Sequence, residues 1–259
     1  MTYLQRRNPA VKLLALMVVL VLLTLVFDPV TPLVLAALAV VGGRVAGGVP
    51  MRGMARLLVV LVPAAIGVYL ANILFGRFNA AAPALVQMGP LRITEVALRN
   101  ASSLVARLLA LGAFSVVFVR TTDPADLVLS LVHQVRLSYR VAFGTLVGLR
   151  MLPLLQGEYA TIRAAHRVRG LDEGRGLRGV WRRLRRYSVP LLAGAVRKAG
   201  RVAMAMDARA FGAFDDRTYR RRLVVTGADW VFLVVVVGGV LAVIAGAAAL
   251  GITRFGLGG

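Results

Sequence analysis

Apolar runs alternate along this chain with short, punctuated polar stretches. Trp230 to Thr253 carries no charge, which is long enough to cross a hydrocarbon core that needs roughly 20 residues of helix. Leu57 to Phe75 is the second clearest such run. Leu13 to Phe27 and Pro29 to Gly43 flank Asp28 and are individually short. They are expected to form a helical hairpin whose ends rely on snorkelling or local thinning of the bilayer. A further span, from about Ala101 to Val119, contains Arg107. That charge is costly in lipid, so it either faces other helices or snorkels to the interface. No strand pattern persists, and the expected fold is an all-α integral membrane protein with about five transmembrane helices.

Between the fourth and fifth spans the pattern becomes amphipathic. Thr122-Asp123-Pro124 reads as a helix start, because Thr or Asp can cap free amides and Pro suits the first turn. A short surface helix is expected over Pro124 to Gln134. A longer one follows from about Val141 to Arg169, stopped by Gly170. Leu171 to Arg186 reads as a Gly/Arg-rich connection, and another helix runs from about Ser188 to Ala210. Each long helix carries one stripe: Leu152, Leu155, Tyr159, Ile162, His166, Arg169, and then Leu192, Ala195, Ala199, Val202, Met206, Arg209. Both step 3, 4, 3, 4, 3, so each set shares a helix face and each ends in an arginine. The stripes repeat at a spacing of 40. Ala195, Ala199 and Ala203 are small enough to let two helix backbones cross closely. His166 and Tyr159 read as packing residues. Arg150 and Arg163 read as orienting the domain or as solvated or lipid-facing charges.

Charge divides the chain and orients it. Of 32 Lys and Arg residues, 17 lie between Glu158 and Asp229, with 7 of the 11 acidic ones, whereas Arg254 alone follows Trp230. The expected divisions are residues 1–120 in the membrane, 121–229 in water and 230–259 as a last transmembrane helix. The positive-inside rule puts the N-terminus, the Arg44 to Arg56 loop and the aqueous domain in the cytoplasm, and the Gly76 to Asn100 loop outside. The first apolar run lacks an A-x-A-like cleavage site and is expected to be a retained helix.

A net charge of +21 does not make a nucleic-acid binder, because no zinc-ligand set, no Gly-aromatic RNA-binding motif and little aromatic interleaving accompany it. Anionic lipid headgroups and acidic partner surfaces explain it better. Cysteine is absent, which excludes disulfides and thiolate metal sites and is compatible with a bacterial inner membrane. No phosphate-binding glycine loop surrounds Lys12 or Lys198, so the chain is not itself a nucleotide-driven motor. A membrane phosphotransferase is a possible alternative, since Asp207 lies near Arg209, but its metal chemistry needs several converging carboxylates, and Asp215 and Asp216 are followed by no further acidic repeat.

Several segments occur in an order that resembles a known family: Asn8-Pro9-Ala10-Val11-Lys12-Leu13, Thr121-Thr122-Asp123-Pro124-Ala125-Asp126-Leu127, Leu149-Arg150-Met151-Leu152-Pro153, Arg163 to Gly170, Ala205-Met206-Asp207-Ala208-Arg209 and Arg217-Thr218-Tyr219. Together they look like the transmembrane T component of energy-coupling factor (ECF) transporters, the CbiQ/EcfT family. The resemblance implies that the aqueous domain is a cytoplasmic coupling domain of amphipathic helices. It further implies that two helix tips, Val168-Arg169-Gly170 and Ala208-Arg209-Ala210, dock into two ABC-type ATPase subunits and link them to a membrane S component that binds the substrate. Val168 stands where the family has Ala, and Ala210 where it has Gly. On this reading the chain is no enzyme, holds no metal or cofactor of its own, and leaves ATP and Mg to the partner ATPases. The cargo, a vitamin or transition-metal ion, belongs to the S component. A conventional ABC permease subunit is the alternative, but it would carry one coupling loop and its own substrate path.

Overall fold

The computed structural model describes residues 2–75, 84–88, 91–171, 174, 176–214 and 222–251. In order they form α1 (Pro9–Thr24), α2 (Val30–Val45), α3 (Met51–Phe75), β1 (Ala84–Met88), β2 (Leu91–Thr94), α4 (Glu95–Thr121), α5 (Pro124–Val135), α6 (Tyr139–Val168), α7 (Gly176–Asp207) and α8 (Gly227–Ala249). The chain is an all-α membrane protein in class. The β1–β2 antiparallel hairpin is a local addition that the sequence reading did not contain. Gly89 and Pro90 lie outside the described residues, as do Asp215, Asp216, Arg217 to Tyr219 and Thr253. Two compact units divide the chain, one of residues 1–130 with 223–259 and one of residues 131–222.

The first unit is built from capped apolar helices. Asn8 starts α1, its side chain accepting from the Ala10 amide at 3.0 Å with Pro9 at the first helical position. Asp28 accepts from the Thr31 amide at 2.6 Å and so ties down the first turn of α2. Asp123, rather than Thr122, caps α5, accepting from the Ala125 and Asp126 amides. A reciprocal Thr226 and Asp229 capping box opens α8. Asp229 also accepts from the Asn8 amide at 3.0 Å, which joins the start of the last helix to the start of the first.

Among the described residues, α3, α4 and α8 are long and apolar enough to cross a membrane. α1 and α2 have 16 residues each, which is roughly 24 Å of helix and short of a core about 30 Å thick. The helices meet around Val19, Leu23, Leu35, Ala110, Val240 and Ile244. The α4 seam is small-sided, with Ala97, Ala101, Ala106, Ala110 and Ala113 all buried, as close approach of membrane helices requires. Gly112 faces Leu61 of α3, where a Cβ would collide with the leucine. Arg107 faces protein: its guanidinium donates to the Val26 carbonyl and lies 5.1 Å from the centre of the Phe27 ring. Outward positions such as Met17, Val60, Ile66 and Val234 are more than half exposed, as a lipid-facing surface demands and a soluble monomer avoids.

The second unit holds α6 and α7. The reading of Leu171 to Arg186 as a connection does not survive, because α7 begins at Gly176. Leu177, Trp181 and Leu184 continue the stripe of the later half backwards in the same 3 and 4 steps, and arginines in between disguise it. Pro190 sits inside the helix.

Candidate functional site

α6 and α7 run antiparallel, each end of one lying by the opposite end of the other. Tyr187, 2% exposed, is the wedge near the α6 end: its ring meets Tyr159 edge-on at 5.7 Å and His166 at 5.3 Å. Gly194 is buried against α6, where a Cβ would come within 3.4 Å of the Glu158 carboxylate. Lys198, one turn on, donates to the same carboxylate. That hydrogen bond and the ammonium charge hold the Glu158 carboxyl below its ordinary range. At the other end Phe211, just past α7, packs on Tyr139 at 5.8 Å and Phe143 at 4.8 Å. Arg140 donates to the Gly212 carbonyl at 3.0 Å and fixes the outgoing chain.

The two helices stop in the same way. After α6, Gly170 turns left-handed at φ 69°; its amide donates to the Arg167 carbonyl at 2.9 Å, and the Leu171 amide donates back to His166 at 3.2 Å. After α7, Ala210 turns left-handed at φ 53°; its amide donates to Asp207 at 2.9 Å, and the Phe211 amide donates to Met206 at 3.0 Å. Each is a Schellman stop, with the left-handed residue preceded directly by an arginine. Alanine takes that geometry at a cost of about 1–2 kcal/mol that glycine escapes. The substitution of Ala for Gly therefore changes the strain of the second tip and leaves its shape intact. Val168, Arg169, Gly170, Ala208, Arg209 and Ala210 are all exposed.

Beside each tip lies a groove. The one at Arg169, about 1010 Å³, is lined by His166, Trp181, Arg178, Arg182, Arg185 and Arg186 among others. The one at Arg209, about 560 Å³, is lined mainly by Tyr139, Phe143, Val202, Met206, Phe211 and Phe214. Of the stripe residues expected to pack, Leu155, Ile162, His166, Ala195, Val202 and Met206 are half-buried. Tyr159 is exposed although its ring meets Tyr187, and Leu152, Leu192 and Ala199 are exposed too. The α7 face turned to α6 is rotated from the alanine row toward Tyr187, Gly194 and Lys198. These three, with Glu158, were not singled out from sequence as packing residues. The available signal was the charge pair Glu158 and Lys198, spaced by the same 40 residues as the two stripes.

No group of three or more His, Cys, Asp or Glu residues suited to a metal exists among the described residues.

Comparison with known proteins identifies a family. Residues 1–220 match the family model CbiQ, cobalt transport protein. The chain is similar to the ECF transporter transmembrane protein EcfT of Heliobacterium modesticaldum, 35% identical over 161 residues that cover 59% of this chain and 60% of that protein. It is 29% identical to the EcfT of Thermosediminibacter oceani over 234 residues, 86% of each chain. A Bifidobacterium longum protein named as an ABC transporter ATP-binding protein shares 28% identity over 171 residues, 62% of this chain but 22% of that one. The chain belongs to the CbiQ/EcfT family: it is the transmembrane T component of an ECF transporter, a non-catalytic membrane subunit.

Proposed function

We propose that this T component transmits ATP-driven motion from two ABC-type ATPase subunits to a membrane S component, for uptake of a vitamin or a transition-metal ion. Arg169 and Arg209 are the contact points. The observation that carries this reading is the pair of matching helix stops: two exposed arginines, held at the same position of the same backbone motif, at opposite ends of one antiparallel helix pair. A guanidinium offers five donors in a rigid fork and keeps its charge, so it can bridge carboxylates or carbonyls of a partner through a cycle of motion. Val168, Gly170, Ala208 and Ala210 shape the tips around them.

Closing of the ATPase dimer, with ATP and Mg held in the partners, brings its two tip-binding surfaces together. The α6–α7 pair answers as a packed, two-state element, its crossing pinned by Tyr187 and the Glu158–Lys198 bridge. The S component, which selects the cargo, responds to that shift. The basic second unit lies in the cytoplasm of a bacterial cell, by the excess of arginine it carries.

The test is the double replacement Arg169→Ala, Arg209→Ala, assayed at matched expression by copurification of the ATPases and by uptake. The protein should insert and fold, and transport should be abolished. Normal assembly and uptake would mean that the arginines only end two packed helices.

A further inference from the structure

The groove at Arg169 owes more to α7 than to the tip itself. Leu177, Trp181 and Leu184 lie along one face of the first turns of α7 and are 89%, 69% and 60% exposed. Each is followed directly by an arginine: Arg178, Arg182 and Arg185. An apolar row and a guanidinium row therefore run side by side, about 100° apart around the helix. All three arginines line the groove together with Arg169, and among the described residues no lining residue is acidic. The groove at Arg209 has the same backbone stop beside it, yet among the described residues Arg209 is the one charged residue in its lining.

We propose that the first three turns of α7 form the larger part of the Arg169 docking site. The occupant is a protein surface that carries acidic side chains around an apolar recess for Trp181, on one ATPase subunit. This rests on the tip-docking reading above and extends it from a single arginine to a built surface. Three features favour such a partner. Tryptophan and arginine together are the residues that anchor protein interfaces. Planar guanidinium forks match carboxylates two bonds at a time. The groove also draws on two segments of the chain, His166 of α6 and Arg169 just past its end contributing to its lining.

A basic groove and an aromatic one should differ in salt response. Association through the Arg169 end should be steered by charge and fall as salt rises. Association through the Arg209 end should barely change.

The experiment uses the full chain in nanodiscs with co-expressed ATPase subunits, comparing Arg182→Glu with Arg185→Glu combined, Trp181→Ala, Arg169→Ala and the wild type. Association is followed at about 50 mM and about 500 mM salt. The paired charge reversal should slow association roughly tenfold at low salt and flatten its salt dependence. Trp181→Ala should speed dissociation by roughly tenfold or more. Both variants must retain wild-type circular dichroism and elution, and Trp181→Phe should recover part of the lost residence time.

Wild-type association by the charge-reversed and Trp181 variants, with loss in Arg169→Ala, would overturn the extended site and leave the tip reading standing. Wild-type behaviour of Arg169→Ala as well would sink the tip reading itself. A third arm places the chain, with Trp230→Phe, in nanodiscs of brominated anionic lipid. Trp181 fluorescence should be unquenched, and strong quenching would make the groove a membrane surface, which also overturns the proposal.

Discussion

At the Gly170 end of the α6–α7 pair the helix stop is relaxed and its surroundings are cationic; at the Ala210 end the stop is strained and its surroundings are aromatic. The two hydrogen bonds that close the stop are the same at both ends. The backbone motif is set by where the last carbonyls find their donors, and that requirement tolerates a change from glycine to alanine. Neighbouring side chains are under no such requirement, and they diverge. The motif places an arginine at each tip, and the groove beside it decides what kind of surface that arginine can meet.

The largest effects come from the arginines themselves. Arg169→Ala or Arg209→Ala alone should weaken ATPase binding by about 2–5 kcal/mol, the usual cost of leaving a buried charged partner unpaired. Lysine should restore only part of this, since an ammonium keeps the charge and loses the fork. Titrating assembly with salt sharpens the comparison: the Arg209→Ala protein, relying on the basic end, should be the more salt-sensitive of the two. Equal salt dependence would erase the distinction between the ends.

The packing of the two ends should differ as well. Tyr187→Ala removes a fully buried ring wedged against Tyr159 and His166 and should cost about 3 kcal/mol. Phe211 is half-buried, so Phe211→Ala should cost roughly half as much. Thermal unfolding in detergent, followed by near-UV circular dichroism, would rank them, and the reverse order would place the main wedge at the other end.

The membrane helices were legible because apolar runs and their breakers coincide: Asp28-Pro29 and Thr122-Asp123-Pro124 mark breaks where the structure has them. The start of α7 was not. Five arginines between Arg178 and Arg186 dilute the apolar rhythm, although Leu177, Trp181 and Leu184 keep the spacing. The crossing face was misplaced for a related reason. A row of alanines is the obvious small surface, but Tyr187 can be covered only by turning toward Tyr159 and His166, and that rotation brings Gly194 to the contact. The left-handed stop at Ala210 has no composition signal at all, because it follows from hydrogen bonds that only coordinates display. Arg169 and Arg209 were legible from spacing alone, while the grooves beside them needed the fold.

Exchanging the two stops tests how alike they are. Gly170→Ala should destabilise the second unit by about 1–2 kcal/mol, the cost of a Cβ in the left-handed region. Ala210→Gly should relieve that strain, less the added freedom of glycine in the unfolded chain, for a net gain of about 1 kcal/mol or less. Nothing lies within 4 Å of a Cβ at Gly170, so the loss is conformational rather than steric. ATPase binding should survive both changes, and the double variant should keep a net loss of about 1 kcal/mol. Equal destabilisation by both would mean that the second tip is not held left-handed in solution.

The smallest effect belongs to Glu158, midway between the ends. Its carboxyl lies below its ordinary value of 4.5, chiefly through the hydrogen bond and charge of Lys198. A carboxyl lowered by folding stabilises the folded state fully above the unfolded value, and that stabilisation is lost as pH falls through the lowered one. Both side chains keep about a third of their surface in water, 32% for Glu158 and 29% for Lys198, so solvent and salt screen the pair. Glu158→Gln should therefore lower the melting temperature only slightly at neutral pH, less so in high salt, and converge with the wild type as the pH falls below the carboxylate range. The effect should be the same whichever tip arginine has been replaced, because the bridge pins the crossing and neither end. A Glu158→Gln penalty that grows toward acid pH would mean that the Lys198 bridge is not what holds the carboxylate charged.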